Sequence, residues 1–434
     1  MKMRYLLASV ALSFGLFALP ARAAPNPVAE FRNVQTVAEA LQSGRTQHLH
    51  RAFAPAMATQ VSAEQLATAW TQVSQHGGRL LKVEPLVSDN NKTEQNALLS
   101  FERAKFVLQV IWDANGQISG LWLKPYQEPA AVTVDPAVSQ QEISFAAPDG
   151  PSIQGTIFLP KGVSNPPVIV LVHGSGPQDR YETMGLNRPF LDIANGLAKQ
   201  GIAVLAYDKR TRTYGKTIDV TKLTIDQEST DDAIAAATWL RDSKQIDPKR
   251  VFVLGHSQGG LVLPRILART PWLRGGIGLA APGVKLIDVL PHQNEYLLAD
   301  QVGTPQGQQH MAMIRDGIAR IRDSDSKDMS PVFGLPLSYW RSVDAVDPLK
   351  ELQGVRQPVL FLQGTADFQV TRADWMGLQQ LAAKSPARIR FVELPGINHL
   401  GLKTEDKRGM DDYKAKRAVA PEVIDAMAAW IKRN

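Results

Sequence analysis

There is no cysteine among the 434 residues. That excludes disulfides, thiolate metal sites, a catalytic thiol and a lipid-modified N-terminal cysteine. A chain without thiols suits a bacterial periplasm or exterior, where stray cysteines would oxidise. Excess charge of one sign is also scarce: 48 Lys and Arg stand against 42 Asp and Glu, a formal +6. Lys2, Arg4 and Arg22 lie in a leading segment with no acid, so taking these three from +6 leaves +3 for the rest. That balance is too mild to predict a nucleic-acid partner. The cluster Lys209, Arg210, Arg212 and Lys216 reads as a solvated loop rather than a phosphate groove. The closest histidine pair, His48-x-His50, has no flanking acid motif, so neither metal nor cofactor is expected.

A membrane-spanning run is missing as well. Tyr5 to Leu19 is apolar but shorter than the roughly 20 residues a spanning helix requires. It follows a positive n-region and precedes Ala21-Arg22-Ala23, small residues at the two positions a signal peptidase reads. Residues 1–23 are therefore expected to be a signal peptide cleaved after Ala23. The mature protein would be exported, periplasmic or secreted, with no stable membrane anchor.

What the chain does contain centres on Gly255-His256-Ser257-Gln258-Gly259-Gly260. The apolar run Val251–Leu254 precedes it and a helical pattern from Leu261 follows. Strand, sharp turn and helix with serine at the apex is the Gly-x-Ser-x-Gly nucleophile elbow. The residues two before and two after the serine come face to face, so both must lack bulk.

Ahead of this motif, residues 24–127 read as a small α+β domain. Helices are expected over Val28–Leu41, Arg45–Phe53 and Ala63–Gln75, the last with Leu66, Trp70 and Val73 on one face. Three strands are expected: Leu80–Val87, Asn96–Gln109 (extending toward Trp112) and Ile118–Lys124, the last two joined by the turn Asp113-Ala114-Asn115-Gly116. Residues 128–140, with two prolines, read as an inter-domain linker. From Gln141 onward strands and helices alternate. Strands are expected at Ile143–Ala146, Ile153–Leu159, Val168–Val172, Ala203–Tyr207, Val251–Leu254, Gly276–Leu279, Val359–Leu362 and Ile389–Glu393. Helices fall at Pro189–Lys199, Gln227–Arg241, Gly260–Ala268, Ala373–Ala383 and Pro421–Lys432. Short continuous apolar strands separated by helices imply a mostly parallel sheet covered on both faces. Its ligand site should lie beyond the C-terminal strand ends.

Three strand ends carry chemistry. Val168–Val172 leads into His173-Gly174-Ser175-Gly176-Pro177. Val359–Leu362 leads into Asp367, and Ile389–Glu393 into His399. The order Ser257, Asp367, His399 gives a nucleophile, an acid that orients the imidazole, and a general base. Asp374 and Glu393 are the rival acids, but the first is expected to open a helix and the second lies within a strand. His173 is expected to brace its loop. The oxyanion of a tetrahedral intermediate needs two fixed N–H donors, expected from Gln258 and from the backbone of Ser175. Residues 284–356 form an insertion with helical patterns at Asp288–Val302 and Gln306–Arg322 and an apolar, aromatic stretch from Pro331 to Trp340. It is expected either to close over Ser257 as a lid that shapes the pocket or to pack as an accessory helix pair.

The runs His173-Gly-Ser-Gly-Pro-Gln-Asp-Arg180, Ala206-Tyr-Asp-Lys-Arg210 and Gly255-His-Ser-Gln-Gly-Gly260 resemble the α/β-hydrolase superfamily, in its exported bacterial serine esterase or aminopeptidase-like branch. The resemblance covers residues 141–434 and implies an eight-stranded α/β-hydrolase fold. It departs from many relatives at Thr211-Arg212-Thr213-Tyr214-Gly215, where a glycine-rich turn is usual, which leaves the substrate open. Asp208 is read as a structural brace. The first domain resembles nuclear-transport-factor-2-like (NTF2-like) folds by pattern alone. Three functions stand at this point: a cofactor-free serine hydrolase of carboxylic or thio esters, an aminopeptidase-like amide hydrolase, and a binding protein with an inert hydrolase half. The second needs an acid for the substrate amine, with Glu295 and Asp300 as candidates. The first implies a small-molecule ester substrate and leaves the oligomeric state open. A haloalkane or epoxide reaction would want a carboxylate at the elbow, where Ser257 stands.

Overall fold

The computed structural model describes residues 27–86, 93–126, 132–215, 217–385, 388–404 and 409–434. The expected signal peptide, Lys216 and the side chain of Asp300 lie outside them. No helix among the described residues is long and apolar enough to cross a membrane. The chain divides into two compact units, Met1–Pro129 and Ala130–Asn434.

In the first unit the expected helix over Val28–Leu41 is broken. A short turn, Pro27–Glu30, precedes a helix over Val34–Gln42. The break is made by Asn33, whose Oδ1 accepts from the Gln35 N–H at 2.7 Å as an N-cap. It also lets Phe31 turn fully into the core. The helix expected over Arg45–Phe53 contracts to Thr46–His50, and Pro55–Ala58 adds a short one that the sequence pattern did not announce. Ala63–Gly77 is helical as expected, started by a reciprocal Ser62–Gln65 capping box.

The sheet has four antiparallel strands in the order β1 (Leu80–Leu86), β2 (Glu94–Phe101), β3 (Lys105–Trp112) and β4 (Ile118–Pro125). What reads as one long strand from Asn96 is thus two. They are joined by a turn at Glu102-Arg103-Ala104, closed by the Phe101 N–H to the Ala104 carbonyl at 2.9 Å. The N–H groups of Glu102 and Arg103 donate to Arg79 and Gly77, which pins the turn to the end of the preceding helix. Leu99, Leu108, Val110 and Ile118 fill one face of the sheet, against Val37, Leu41, Leu49 and Phe53.

The second unit is an eight-stranded sheet. Its strands are β5 (Val138–Ala146), β6 (Ser152–Pro160), β7 (Val168–Val172), β8 (Ala203–Tyr207), β9 (Val251–His256), β10 (Gly275–Leu279), β11 (Val359–Gly364) and β12 (Ile389–Leu394). Their spatial order is β12-β11-β10-β9-β7-β8-β6-β5. β5 and β6 pair antiparallel, as do β6 and β8, while the remaining neighbours are parallel. β5 starts at Val138, inside the stretch read as linker, because Val138 to Gln140 pair with Pro160 to Phe158 at the sheet edge. β7 to β10 are buried along their whole length, which is why they read as continuous apolar runs. Helices Pro189–Lys199 and Pro421–Arg433 share one apolar core with Ile169, Leu171, Phe252 and Leu254. Helices Asp232–Arg241 and Gln258–Arg269 share another with Val170, Val172 and Val253. The helix expected from Gln227 begins as a wider π-helical turn, Asp226–Asp231. The insertion is helical over Leu286–Leu298, Pro305–Arg322, Leu337–Asp344 and Pro348–Gln353.

Candidate active site

Ser257 sits at the end of β9 with φ 50° and ψ −113°, a conformation that L residues rarely adopt. Two glycines make room for it. A Cβ on Gly255 would run into the Gly259 carbonyl, and a Cβ on Gly259 into the Val172 carbonyl on β7. The Ser257 N–H donates to the Leu279 carbonyl at the end of β10, at 3.0 Å. The turn is therefore held from both neighbouring strands, with its serine on the C-terminal edge of the sheet.

Asp367 follows β11 and is buried. Its Oδ1 accepts the N–H groups of Gln369 at 2.8 Å and Val370 at 3.0 Å. Its Oδ2 accepts the Gln363 amide at 3.0 Å and meets His399 Nδ1 at 2.9 Å. Burial alone would raise this carboxyl, but His399 and the two N–H groups hold it below the usual carboxylate range. The acid is thus ionised, and an anion at Nδ1 keeps the proton there and leaves Nε2 as the acceptor. His399 rides on a loop braced by Asn398, whose Oδ1 accepts from Leu400 and Leu402 and whose amide donates to Asp412. The rival acids are engaged elsewhere. Asp374 caps its helix at Thr371 and pairs with His292, and Glu393 accepts from Gln379.

Ser257, His399, Ser175 and Gln258 line one cavity of about 240 Å³. All five residues singled out from the sequence thus converge, four on the cavity wall and Asp367 directly behind His399. Leu286, Leu290, Leu335, Tyr339 and Trp340 from the insertion form the apolar side of the cavity, and Gln178, Gln293 and Gln369 supply polar groups. The insertion therefore helps to build the pocket.

The pattern did not disclose a buried pair in the lining of the cavity. Glu182 Oε1 accepts the Gly174 N–H at 2.6 Å, and its Oε2 lies 2.9 Å from His256 Nδ1. His256 Nε2 in turn donates to the His399 carbonyl at 2.8 Å. Burial pushes the His256 imidazole down, but Glu182 outweighs it and raises the group above its ordinary value; conversely burial lifts Glu182 and His256 pulls it below. Glu182 also has φ 52°, which marks it as held against backbone preference. Nothing near Glu182 in the chain signals the pairing, because His256 lies 74 positions on. His173 is buried between the rings of Phe190 and Tyr207, and burial pushes it down to about 4.

Asp208 braces, meeting Arg180 through Nη2 at 2.6 Å and Nε at 3.3 Å. The solvated-loop reading of the basic cluster fails for two members. Lys209 and Arg210 are buried, the latter forked between Asp232 and Asp149 at 2.6 Å each, because acids distant in sequence neutralise them.

The chain is similar to several known proteins. EstD, an esterase of Thermotoga maritima, is 32% identical over 345 residues, covering 77% of this chain and 79% of its own. That share exceeds what Ala130–Asn434 alone can supply, so the similarity reaches into the first unit. Among solved structures, an esterase domain from a Rhodothermus marinus protein aligns over 68% of this chain and 98% of its own, at 18% identity and TM-score 0.41. An esterase of Pyrococcus furiosus aligns over 71% and 94%, at 16% identity and TM-score 0.45. The model of the alpha/beta hydrolase family matches residues 169–408, a span that holds Ser257, Asp367 and His399. With that match and the EstD similarity behind it, the chain belongs to the alpha/beta hydrolase family.

Proposed function

We propose that this protein is a serine hydrolase that cleaves carboxylic or thio esters through an acyl-enzyme. The observation that carries the reading is a serine at a strained strand-to-helix turn sharing a cavity with a histidine whose far nitrogen is held by a buried, ionised aspartate. His399 Nε2 takes the Ser257 proton as Oγ attacks the ester carbonyl, and the imidazolium is stabilised by Asp367. The oxyanion is held by the N–H groups of Ser175 and Gln258. The Gly174 N–H on the same loop is committed to Glu182. His399 then gives its proton to the leaving alcohol or thiol, and water deacylates the serine by the same route.

Ester rather than amide chemistry is supported by the lining of the cavity. An aminopeptidase needs an exposed carboxylate for the substrate ammonium, whereas the cavity's one acid among the described residues is Glu182, 3% exposed and taken up by Gly174 and His256. Glu295 is not part of the wall. The name of the Thermotoga relative agrees. We further propose export to the periplasm or exterior, on the pattern of residues 2–23, and an NTF2-like packing role for the first unit, on its helices preceding an antiparallel sheet.

The test is labelling with a fluorophosphonate and location of the adduct by peptide mass spectrometry. The expected adduct is on Ser257 and is lost in His399→Ala. A folded protein that takes no label, and hydrolyses no activated ester, would overturn the reading.

A further inference from the structure

Lys209 is 1% exposed and lies behind the cavity wall. Its Nζ donates to the Gly174 carbonyl at 2.8 Å and stands 3.5 Å from Glu228, itself 4% exposed. Glu228 is a hub. Its Oε1 accepts from Thr211 at 2.9 Å, and its Oε2 from the Tyr339 hydroxyl at 2.6 Å and the Gln258 amide at 3.2 Å. It sits in the π-helical turn Asp226–Asp231, a rare geometry that is frequent at functional sites. Burial works against its charge, but Lys209 and the three donors hold the carboxyl below its ordinary range.

A buried ion pair is a poor way to gain stability, because desolvating two charges cancels most of their attraction and apolar replacements often do as well. The placement of this pair points to another use. The Gly174 carbonyl and the Ser175 N–H belong to one planar trans peptide and point in opposite directions. A cation bonded to that oxygen fixes the plane, aims the N–H away from Lys209, and draws electron density from the nitrogen, strengthening it as a donor. The Gly174 N–H is fixed independently by Glu182. Both peptides flanking Gly174 are thus held, one by each buried charge.

We propose that Lys209 and Glu228 are positioning residues for the oxyanion hole: the ammonium orients and polarises the Gly174–Ser175 peptide, and the carboxylate ties it to Gln258 and to Tyr339 of the insertion. The inference rests on the serine-hydrolase reading, since it assigns these residues to that reaction's oxyanion. Neither touches the substrate. Their effect falls where negative charge develops on oxygen, in the transition state more than in the bound ester.

The test is the double variant Lys209→Met/Glu228→Gln, which removes both charges together and leaves no buried ion unpaired; Lys209→Met alone would strand Glu228 and could fail to fold. Three quantities are compared with wild type: melting temperature, kcat and KM on a p-nitrophenyl ester, and Ki for an alkyl trifluoromethyl ketone, which becomes an oxyanion when a serine adds to it. The double variant is expected to melt within a few degrees of wild type and to keep its KM. Its kcat should fall about 30- to 100-fold, somewhat less than loss of a whole oxyanion donor, and the ketone Ki should weaken by the same factor. A kcat within threefold of wild type, or a fall in kcat with an unchanged ketone Ki, would overturn the inference while leaving the hydrolase reading intact. Wild-type protein inert to both ester and ketone would overturn the two together.

Discussion

At the scale of single residues, the function proposed here makes unequal demands on the three groups at its centre. Removing the Ser257 hydroxyl takes away the bond-forming atom, so Ser257→Ala should lower kcat on an activated ester by about 10⁴-fold or more. Asp367→Asn keeps the shape but gives the wrong tautomer at His399, and a fall of about 10³- to 10⁴-fold is expected in the same assay. The Glu182–His256 pair has a signature in stability instead. Glu182 is lowered from 4.5, so its contribution is present above that value and lost as pH falls through the folded value. His256 is raised from 6.5, so its contribution is complete below that value and lost as pH rises through the folded one. The melting-temperature difference between wild type and Glu182→Gln should therefore be largest between pH 4.5 and 6.5 and shrink on both sides. A flat difference across pH 4 to 9 would contradict the pairing. Ser257, Asp367 and His399 were legible because each follows an apolar strand in a fixed order. Lys209, Glu228, Glu182 and the role of His256 were not. Each is defined by a partner many positions away, and a lysine in a polar run looks solvated until its carboxylate is located.

At the scale of elements, the elbow tolerates little. Its glycines face backbone oxygens, which cannot rotate aside as a side chain would. Gly259→Ala should destabilise the chain by more than about 4 kcal/mol in chemical denaturation or leave it insoluble, since the contact lies between β7 and the nucleophile helix. β7, β8 and β10 could be read directly because burial on both faces leaves them almost wholly apolar. The turn between β2 and β3 could not, because Glu102-Arg103-Ala104 has neither glycine nor proline to punctuate it and owes its shape to bonds with Gly77 and Arg79. β5 was half hidden for a related reason. It is an edge strand whose first residues, Val138 to Gln140, are mostly polar and follow Pro136, so the pattern resembled a linker.

At the scale of the whole molecule, the loops after β7, β9, β11 and β12 and residues of the insertion together line a cavity of about 240 Å³, below the usual range of pockets for drug-sized ligands. Short acyl groups should be preferred. In a p-nitrophenyl ester series kcat/KM is expected to peak at acetyl to butyryl and to fall by about tenfold or more by decanoyl, consistent with a few kcal/mol at most for added methylenes. A rate rising steadily to long chains would mean that Leu335, Tyr339 and Trp340 move away when substrate binds. The positive φ of Ser257 has a further consequence for the chain as a unit. Folded domains keep only about 5–15 kcal/mol in reserve, and one residue forced into such a conformation withdraws about 1–3 kcal/mol of it. Ser257→Gly should therefore melt higher than the wild type although it is inactive. A lineage of this protein freed from selection for turnover would drift toward greater durability by losing its nucleophile first.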